Sequence, residues 1–428
     1  MASAHLQVPA SSQIRLLDLF SGAGGFAAGF HAYTTPSGER PFRTEAAVEF
    51  DRAAASTYAA NFPEATVHAG DIATFPAEEY VGRVDVIVGG PPCQGFSGLG
   101  KEDPDDPRNE LWRQYVHVVT VLKPKLFVIE NVDRFFRSAQ FAELEAAVNK
   151  PDGELADYEI RSAMLNAADF GVPQARRRAI VIATRRDLGD PLEHPRPSHD
   201  KRGDATAVGG SGDALFSVEG DKRLPWEAVS TVFDDSAKRE LLPQLPNPRS
   251  GTPLVAGVSG PYLTSDLHFR RNPEDLSRAR YAAIPAGGNR NDLRGKWFRI
   301  VDGEITVYTQ GEYELLGRKE RGEAKYLSTE SWDNHNKGSG DVMGRLREND
   351  PSVTIRTEFY KPEKGRYLHP HDDRPITHYE AARIQGFPET FKWYGSKIDI
   401  ARQIGNAVPV GLGMALAAAI HRYLSERS

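Results

Sequence analysis

The chain has 428 residues, a formal net charge of −6 at pH 7 and 39% hydrophobic residues. This length predicts two domains, or one large domain with a sizeable insertion, and the hydrophobic content is enough for buried cores. The net charge argues against a protein whose whole surface is basic and binds nucleic acid, but it is compatible with a local basic groove. Residues 1–12 lack the pattern of a signal peptide. The longest nearly apolar run, residues 408–420, is shorter than the roughly 20 residues of a membrane span.

The first part of the chain predicts strands that alternate with helices. Helical patterns lie between short apolar runs, and residues 111–122 are the clearest of them. Such alternation is typical of an α/β fold with a mostly parallel sheet covered on both faces. The runs that we interpret as buried strands are residues 14–20, 46–50, 84–88, 126–129 and 179–183.

The composition changes after the last of these strands. From there to about residue 340 the chain is rich in Gly, Pro, Asp and Arg and has few long apolar runs, which is typical of irregular strands and loops. Residues 404–424 are again apolar and helical. We therefore predict a first domain formed by residues 1–185 and 400–428. The second domain, residues 186–399, is predicted to be smaller and irregular.

A glycine-rich turn, SGAGG at residues 21–25, follows the first predicted strand. A strand, glycines and then a helix make a ligand turn at the edge of a parallel sheet. Gly22, Gly24 and Ala27 satisfy the spacing of a dinucleotide fingerprint, and Glu49 lies at about the right distance to bind ribose hydroxyls. The turn alone fits NAD, FAD, S-adenosylmethionine or a plain tight turn.

Acidic residues around this turn narrow the choice of cofactor. Asp18 lies near the end of the first predicted strand, Glu49 lies near the end of the second, and Asp71 follows later in the chain. A pyrophosphate gains nothing from nearby carboxylates, whereas a sulfonium, an amino group or ribose hydroxyls do. The acids therefore favour a cofactor without phosphates.

Cys93 is the only cysteine of the chain and lies in the segment GGPPCQGFS. A single cysteine cannot form an intramolecular disulfide or a thiolate-rich metal site, and a chain with one cysteine suits a reducing cytoplasm. Two prolines pin the backbone before it, and flanking glycines let other groups come close. This pattern favours a rigidly held nucleophile over the small buried hydrophobe that most free cysteines are.

Six segments, in the family's order, resemble motifs of the cytosine-C5 DNA methyltransferase family. Residues 284–289 and 344–356 also resemble segments common in bacterial members. Two departures are visible: Arg177 stands where an acid is frequent, and His378-Tyr379 replaces a pair that usually contains Arg. The six segments are DLFSGAGG (residues 18–25), GPPCQGFS (90–97), ENV (130–132), QARRR (174–178), EAARIQGFP (380–388) and QIGNAVP (403–409).

The resemblance implies which residues are catalytic. Cys93 would add to cytosine carbon 6, and Glu130 would give a proton or hydrogen bond to ring nitrogen 3. Arg176 and Arg178 would lie on one side of an extended segment and suit the base carbonyl, the nucleophile loop or phosphate. Gln174 would order the loop. The structural alternatives are a helix N-terminal acid for Glu130 and a solvated basic run for the arginines.

The resemblance also implies an S-adenosylmethionine-dependent, Rossmann-like methyltransferase domain and a smaller irregular α+β target-recognition domain. The methionine side of the cofactor would contact the glycine turn, and the adenosine would contact Glu49, Phe50, Asp71 and Ile72. Asn406 would return to this pocket from the C-terminal stretch. The implied cofactor residues are Phe20, Gly22, Gly24, Glu49, Phe50, Asp71, Ile72 and Asn406.

DNA contacts are expected from a loop and from the second domain. Gln94, Ser97 and Arg108 would contact a cytosine flipped out of the duplex, because its carbon 5 cannot be reached inside the stack. Residues 249–299 contain nine Arg or Lys and four Asp or Glu, interleaved with aromatic residues, which suits DNA but also an ordinary surface. The segment HPHD at residues 369–372 is interpreted as structural, and no metal is expected.

The sequence thus predicts methyl transfer to carbon 5 of cytosine in a specific sequence of double-stranded DNA, through a covalent Cys93 adduct. We expect a cytoplasmic, nucleoid-associated monomer without membrane contact, in a restriction-modification or orphan system whose nuclease acts separately. The alternatives are a tRNA cytosine-5 methyltransferase and a catalytically silent DNA-binding regulator. The long second domain favours DNA over tRNA. An NAD-dependent oxidoreductase would leave the Pro-Pro-Cys-Gln and Glu-Asn-Val segments without a role.

Overall fold

A computed structural model of the chain describes residues 13–92, 108–201, 223–247, 263–334 and 340–427. Seven strands form the central sheet, in the spatial order β3-β2-β1-β4-β5-β8-β6, and β7 pairs elsewhere. In chain order these strands are β1 (Ile14–Leu19), β2 (Phe42–Glu49), β3 (Thr66–Ala69), β4 (Val86–Gly89), β5 (Leu126–Asn131), β6 (Tyr158–Asn166), β7 (Gln174–Ala175) and β8 (Arg177–Arg185).

The sheet is parallel except at β8, which runs antiparallel to both of its neighbours, β5 and β6. The expectation of a mostly parallel α/β sheet is therefore confirmed. Strands β3 and β6 were not expected from the apolar runs. Both carry mainly half-exposed side chains, because each lies at an edge of the sheet.

Helices cover both faces of the sheet. In β5, Leu126 and Val128 point to one face while Phe127 and Ile129 point to the other, and all four are fully buried. Burial on both faces is what makes the strands of a parallel sheet continuously apolar. The helices of this part are α1 (Gly25–Ala32), α2 (Arg52–Asn61), α3 (Arg108–Leu122) and α4 (Ala139–Asn149).

The middle of the chain forms short strands and helices. A three-stranded antiparallel sheet, in the order β12-β11-β13, packs over its own small core around Tyr281, Phe298 and Leu327. The elements are β9 (His199–Asp200), β10 (Leu224–Pro225), α5 (Ser230–Ser236), α6 (Asp275–Ala283), β11 (Lys296–Val301), β12 (Glu304–Thr309), α7 (Gln310–Leu315), α8 (Arg318–Glu323), β13 (Lys325–Tyr326), α9 (Glu330–Asn334), β14 (Gly344–Arg345), β15 (Ser352–Val353) and β16 (Arg366–Leu368).

Three helices end the chain: α10 (His378–Ile384), α11 (Lys397–Asn406) and α12 (Val410–Ser425). The helical stretch expected at residues 404–424 is thus divided, because Pro409 lacks the N–H that a continuous helix requires. Within the described residues no single helix is long and apolar enough to cross a membrane. The pair α11 and α12 meets those criteria only together, with a bend of 42° between them.

One buried cluster joins the two parts of the chain. Ala27 and Tyr58, from the helices that cover the large sheet, pack in the same cluster as Leu267, Ile355 and Trp393. Helix α12 lies against α1, where a methyl group on Gly29 would come within 2.6 Å of the Val410 carbonyl oxygen. The C-terminal helices therefore complete the layer over the large sheet.

Candidate active site

A cavity of about 910 Å³ opens at the carboxyl ends of the parallel strands. Its lining comes mainly from the ends of β1, β2 and β5 and the residues that follow β1 to β5, from Arg176 and Arg178 around the start of β8, and from two segments of the C-terminal half. This is the edge at which open α/β sheets bind their ligands. Of the predicted site residues that the structure describes, the cavity lining includes Phe20, Gly22, Glu49, Phe50, Asp71, Ile72, Glu130, Arg176, Arg178 and Asn406.

The turn after β1 is shaped by residues with left-handed backbone. Phe20 and Gly22 have φ of 54° and 55°, and Gly24 has φ of 92°. Gly24 does not line the cavity; a Cβ there would lie 2.5 Å from the Phe62 ring and 3.0 Å from the Tyr58 ring. The structure therefore places Gly24 where the turn packs on α2, outside the cavity lining.

Glu49 fixes the turn from the end of β2. Its Oε2 accepts a hydrogen bond from the Gly22 N–H at 2.7 Å, and its Oε1 accepts one from the Asp51 N–H at 2.8 Å. Burial raises the pKa of Glu49, while these backbone hydrogen bonds act in the opposite direction. The carboxyl is thus held in one orientation at the cavity wall.

Beyond Glu49, the cavity wall continues with Phe50, Ile72 and Asp71. The Phe50 side chain is 75% exposed although it is a large aromatic ring. Ile72 is buried, and Asp71 is exposed and caps the turn after β3 by accepting the Ala73 N–H at 3.0 Å. The lining also holds the buried Ser21 hydroxyl, which has no hydrogen-bond partner among the described residues.

Glu130 and Arg178 form an ion pair in the cavity wall, with 2.6 Å between Oε1 and Nε. Glu130 belongs to β5, and Arg178 belongs to the adjacent β8, so the sheet register brings the two side chains together. The next residue, Asn131, donates a hydrogen bond from Nδ2 to the Pro91 carbonyl at 2.9 Å. A Cβ on Gly90 would lie 3.1 Å from Oε2 of Glu130.

Arg176 is almost fully buried and is bound to backbone carbonyls. Its Nη1 donates to the Ile355 oxygen at 2.9 Å, and both Nη atoms donate to the Gly405 oxygen at 3.0 Å. Burial lowers the pKa of Arg176 to about 9, and the positive charge of Arg178 acts in the same direction. Arg176 lines the cavity but its hydrogen bonds join distant parts of the chain.

Gln174 is fully buried and lies outside the cavity lining. Its Oε1 accepts the Ile355 N–H at 2.9 Å, and its Nε2 donates to Oε1 of Gln385 at 2.7 Å. Strand β7, which contains Gln174, pairs with β15, with Ser352 opposite Gln174. Gln174 thus connects β7 to the segment that follows β15.

Several predicted residues lie beyond what the structure describes. Cys93, Gln94 and Ser97 are outside the described residues, and of Arg108 only the backbone, at the start of α3, is described. Pro91 and Pro92 line the cavity, and Pro92 immediately precedes Cys93 in the sequence.

The sequence did not predict a part of the lining formed by residues 354–357 and by Arg402. Arg402 pairs with Asp51, with 3.3 Å between Nη1 and Oδ2. For residues 354–357, the one sequence signal was the resemblance of residues 344–356 to segments of bacterial family members. In the described part of the chain, no group of three or more His, Cys, Asp and Glu is arranged to hold a metal ion.

The chain is similar to known proteins over most of its length. The family model for C-5 cytosine-specific DNA methylases matches residues 14–235 and 291–422. The Type II methyltransferase M1.HphI of Haemophilus parahaemolyticus is 30% identical, over 94% of this chain and 86% of that protein. The Type II methyltransferase M.AgeI of Thalassovita gelatinovora is 29% identical, over 95% and 99% respectively. A solved E. coli prophage structure, described as a candidate DNA modification methyltransferase, shares the fold, with a TM-score of 0.56, 22% identity and coverage of 96% and 100%.

Proposed function

Because the chain belongs to the C-5 cytosine-specific DNA methylase family, we propose that it methylates carbon 5 of a flipped-out cytosine in one specific sequence of double-stranded DNA. S-adenosylmethionine is the proposed methyl donor, and Cys93 is the proposed nucleophile. The Type II methyltransferase relatives support a role in a restriction-modification system. We expect the protein to act on DNA as a monomer, with any cognate endonuclease acting separately.

One observation carries the proposal. The ion pair of Glu130 and Arg178 and the turn held by Glu49 open to the same cavity, whose wall includes Pro92, the residue before Cys93. A base and a cofactor could therefore meet in one cavity. The lining offers acids on the cofactor side and an acid with an arginine on the side of the nucleophile loop.

The residues of the turn fit S-adenosylmethionine, which supplies an activated methyl group when bound. Glu49 and Asp71 can accept hydrogen bonds from ribose hydroxyls and from the adenine amino group. The exposed Phe50 ring gives the adenine a face to pack on, with Ile72 beside it. The methionine side would contact Phe20, Gly22, the unpartnered Ser21 hydroxyl and Asn406. Gly24 supports the turn through its packing on α2.

The chain's own groups would activate the cytosine. The Cys93 thiolate forms a bond to carbon 6, and Glu130 gives a proton or hydrogen bond to ring nitrogen 3, which makes carbon 5 electron-rich. After carbon 5 has gained the methyl group, its proton passes to water, and the electrons of that C–H bond form the C5–C6 double bond and expel Cys93 as a thiolate. Ring nitrogen 3 returns its proton to Glu130, and 5-methylcytosine is released. Arg178 orients the Glu130 carboxyl, while Arg176 and Gln174 hold the surrounding backbone.

The target base must leave the duplex to reach this cavity, at a cost of a few kcal/mol in lost stacking and pairing. We propose that Gln94, Ser97 and Arg108 contact the flipped nucleotide or its backbone. Gln94 and Ser97 follow Pro92 in the sequence, and Arg108 is the first residue of α3. Pro92 and Leu111, a residue of α3, both line the cavity.

Bisulfite sequencing tests the proposal. A plasmid is recovered from cells that express the wild type, Cys93→Ser or no methyltransferase, and its cytosines are compared. We expect protected cytosines in one short sequence context, only with the wild type. Protection that persists with Cys93→Ser would contradict the covalent mechanism. No protection by either protein, together with methylation of tRNA by the wild type, would replace DNA by tRNA as the substrate.

A further inference from the structure

Four arginines line the cavity in the described part of the chain, and three of them are engaged. Arg176 is bound to carbonyl oxygens, Arg178 is paired with Glu130, and Arg402 is paired with Asp51. The fourth, Arg356, is exposed. No described carboxylate forms an ion pair with its guanidinium. A cation that lines a cavity and also reaches solvent is available to a ligand at the cavity mouth.

The backbone that carries Arg356 is held unusually firmly. We call residues 354–357, which follow β15, the arginine ridge. The Ile355 N–H donates to Gln174, and the Ile355 oxygen accepts from Arg176. A Cβ on Gly405 would lie 2.4 Å from the Thr357 nitrogen and 2.5 Å from the Arg356 carbonyl carbon, so α11 lies directly against the ridge. Two buried side chains and a helix therefore fix where the Arg356 side chain begins.

We propose that Arg356 binds a DNA phosphate next to the flipped cytosine, with the buried Gln174 and Arg176 acting as positioning residues for the arginine ridge. This inference rests on the proposed function. A base inside the cavity stays joined through its sugar to the phosphates on both sides, and these charged groups remain at the mouth. Arginine matches phosphate with paired N–H donors, and a preorganised backbone loses less entropy when the contact forms.

Salt dependence of DNA binding provides the first test. A duplex with the sequence found by bisulfite sequencing is titrated in the presence of S-adenosylhomocysteine, at several salt concentrations. Arg356→Ala should weaken binding on the order of tenfold. It should also reduce the slope of log K against log salt by about 1, because one phosphate contact is lost. Arg356→Lys should keep most of the slope, since the charge is retained.

The matched control is Arg83→Ala. Arg83 is also an exposed arginine, but it precedes β4 and so lies at the opposite edge of the sheet, where it pairs with Glu45. Its loss should leave the salt slope unchanged. Equal slopes for Arg356→Ala and the wild type would overturn the inference. So would a loss of S-adenosylhomocysteine affinity in Arg356→Ala, because it would place Arg356 on the cofactor's carboxylate.

A second experiment identifies the phosphate. Single methylphosphonates, which carry no charge, replace the phosphates around the target cytosine one at a time. The wild type should lose affinity at one position flanking this cytosine, and Arg356→Ala should show no further loss there. Additive losses at every position would overturn the inference. A wild type that methylates no DNA would instead contradict the proposed function, so the two failures are distinguishable.

Discussion

Phe50 presents an exposed aromatic ring beside Glu49, whose carboxyl is held in one orientation. An apolar ring in contact with water is unfavourable in free energy unless a ligand covers it. Glu49 is held by two backbone N–H groups, so the ring stands on a fixed base. Large aromatic side chains usually bury most of their surface. The Phe50 side chain therefore contributes little to the stability of the folded protein, and its exposure indicates a role in ligand binding.

We expect Phe50→Ala to weaken binding of S-adenosylhomocysteine about tenfold, because the adenine loses a stacking partner worth roughly 1.4 kcal/mol. The free energy of unfolding should change by less than about 0.5 kcal/mol. Calorimetric titration and urea unfolding measure the two quantities. Leu315→Ala is the control, since Leu315 is 87% exposed on α7 and lies outside the cavity lining. Similar affinity losses in both variants would contradict the assignment.

Glu130→Gln separates chemistry from binding. The amide keeps the shape of the side chain but cannot deliver a proton in the same way, so the single-turnover rate of methyl transfer should fall by about 10² to 10⁴. Affinity for S-adenosylhomocysteine should be unchanged. Glu159→Gln removes a carboxylate from a comparable pair, 2.7 Å from Arg161, on the partly exposed β6, and should leave the rate unchanged. A normal rate of methyl transfer in Glu130→Gln would show that Glu130 has no catalytic role.

At the level of elements, the strands with continuous apolar runs were predictable and the short or half-exposed ones were not. Strands β7 and β15 have two residues each, which is too short for any periodicity to appear. Their pairing joins residues 174 and 352, so only tertiary structure reveals it. For this reason the arginine ridge stayed unpredicted although the motif with Gln174 and Arg176 was recognised.

The contact of α11 with the arginine ridge predicts a strong effect for Gly405→Ala. The added methyl group would overlap backbone atoms of Thr357 and Arg356, which cannot move as a flexible side chain can. We expect a loss of about 1–3 kcal/mol in stability and weaker DNA binding. Gly311→Ala, in α7 with open space around it, should be neutral or slightly stabilising. Equal stability of the two variants would show that the ridge and α11 separate easily.

Across the whole molecule, the order of the motifs predicts candidate catalytic and binding residues, whose roles stay a prediction, but not how the chain joins them. The cavity is lined by residues that range from Asp18 to Val408 in the chain. A pattern of apolar runs shows which strands are buried, yet it carries no information on contacts between the expected domains. The shared cluster of Tyr58, Leu267 and Ile355 is such a contact. The boundaries at residues 185 and 400 follow composition, and they stay a prediction.

Asp18 couples the stability of the whole molecule to pH. It is 2% exposed at the end of β1, and burial raises the pKa of its carboxyl to about 8. The Tyr58 hydroxyl, 3.3 Å from Oδ2, acts in the opposite direction, and the charge of Glu49 raises the pKa further. An unfolded aspartate has a pKa near 3.9. Between these two values the folded protein binds more protons, so this group's contribution to stability is complete below about pH 4 and is lost as the pH rises to about 8.

Asp18→Asn should therefore flatten the pH dependence of the free energy of unfolding between pH 5 and pH 8, as measured by urea unfolding at several pH values. The amide cannot ionise, so the proton uptake that favours the folded wild type at the acidic end of this window is absent. Asp187→Asn is the control: the hydrogen bond with Arg185 lowers the pKa of that exposed carboxyl. Its contribution is lost only as the pH falls below about 4, and its curve should run parallel to the wild type in this window. A parallel curve for Asp18→Asn as well would mean that Asp18 is already ionised in the folded protein at pH 5.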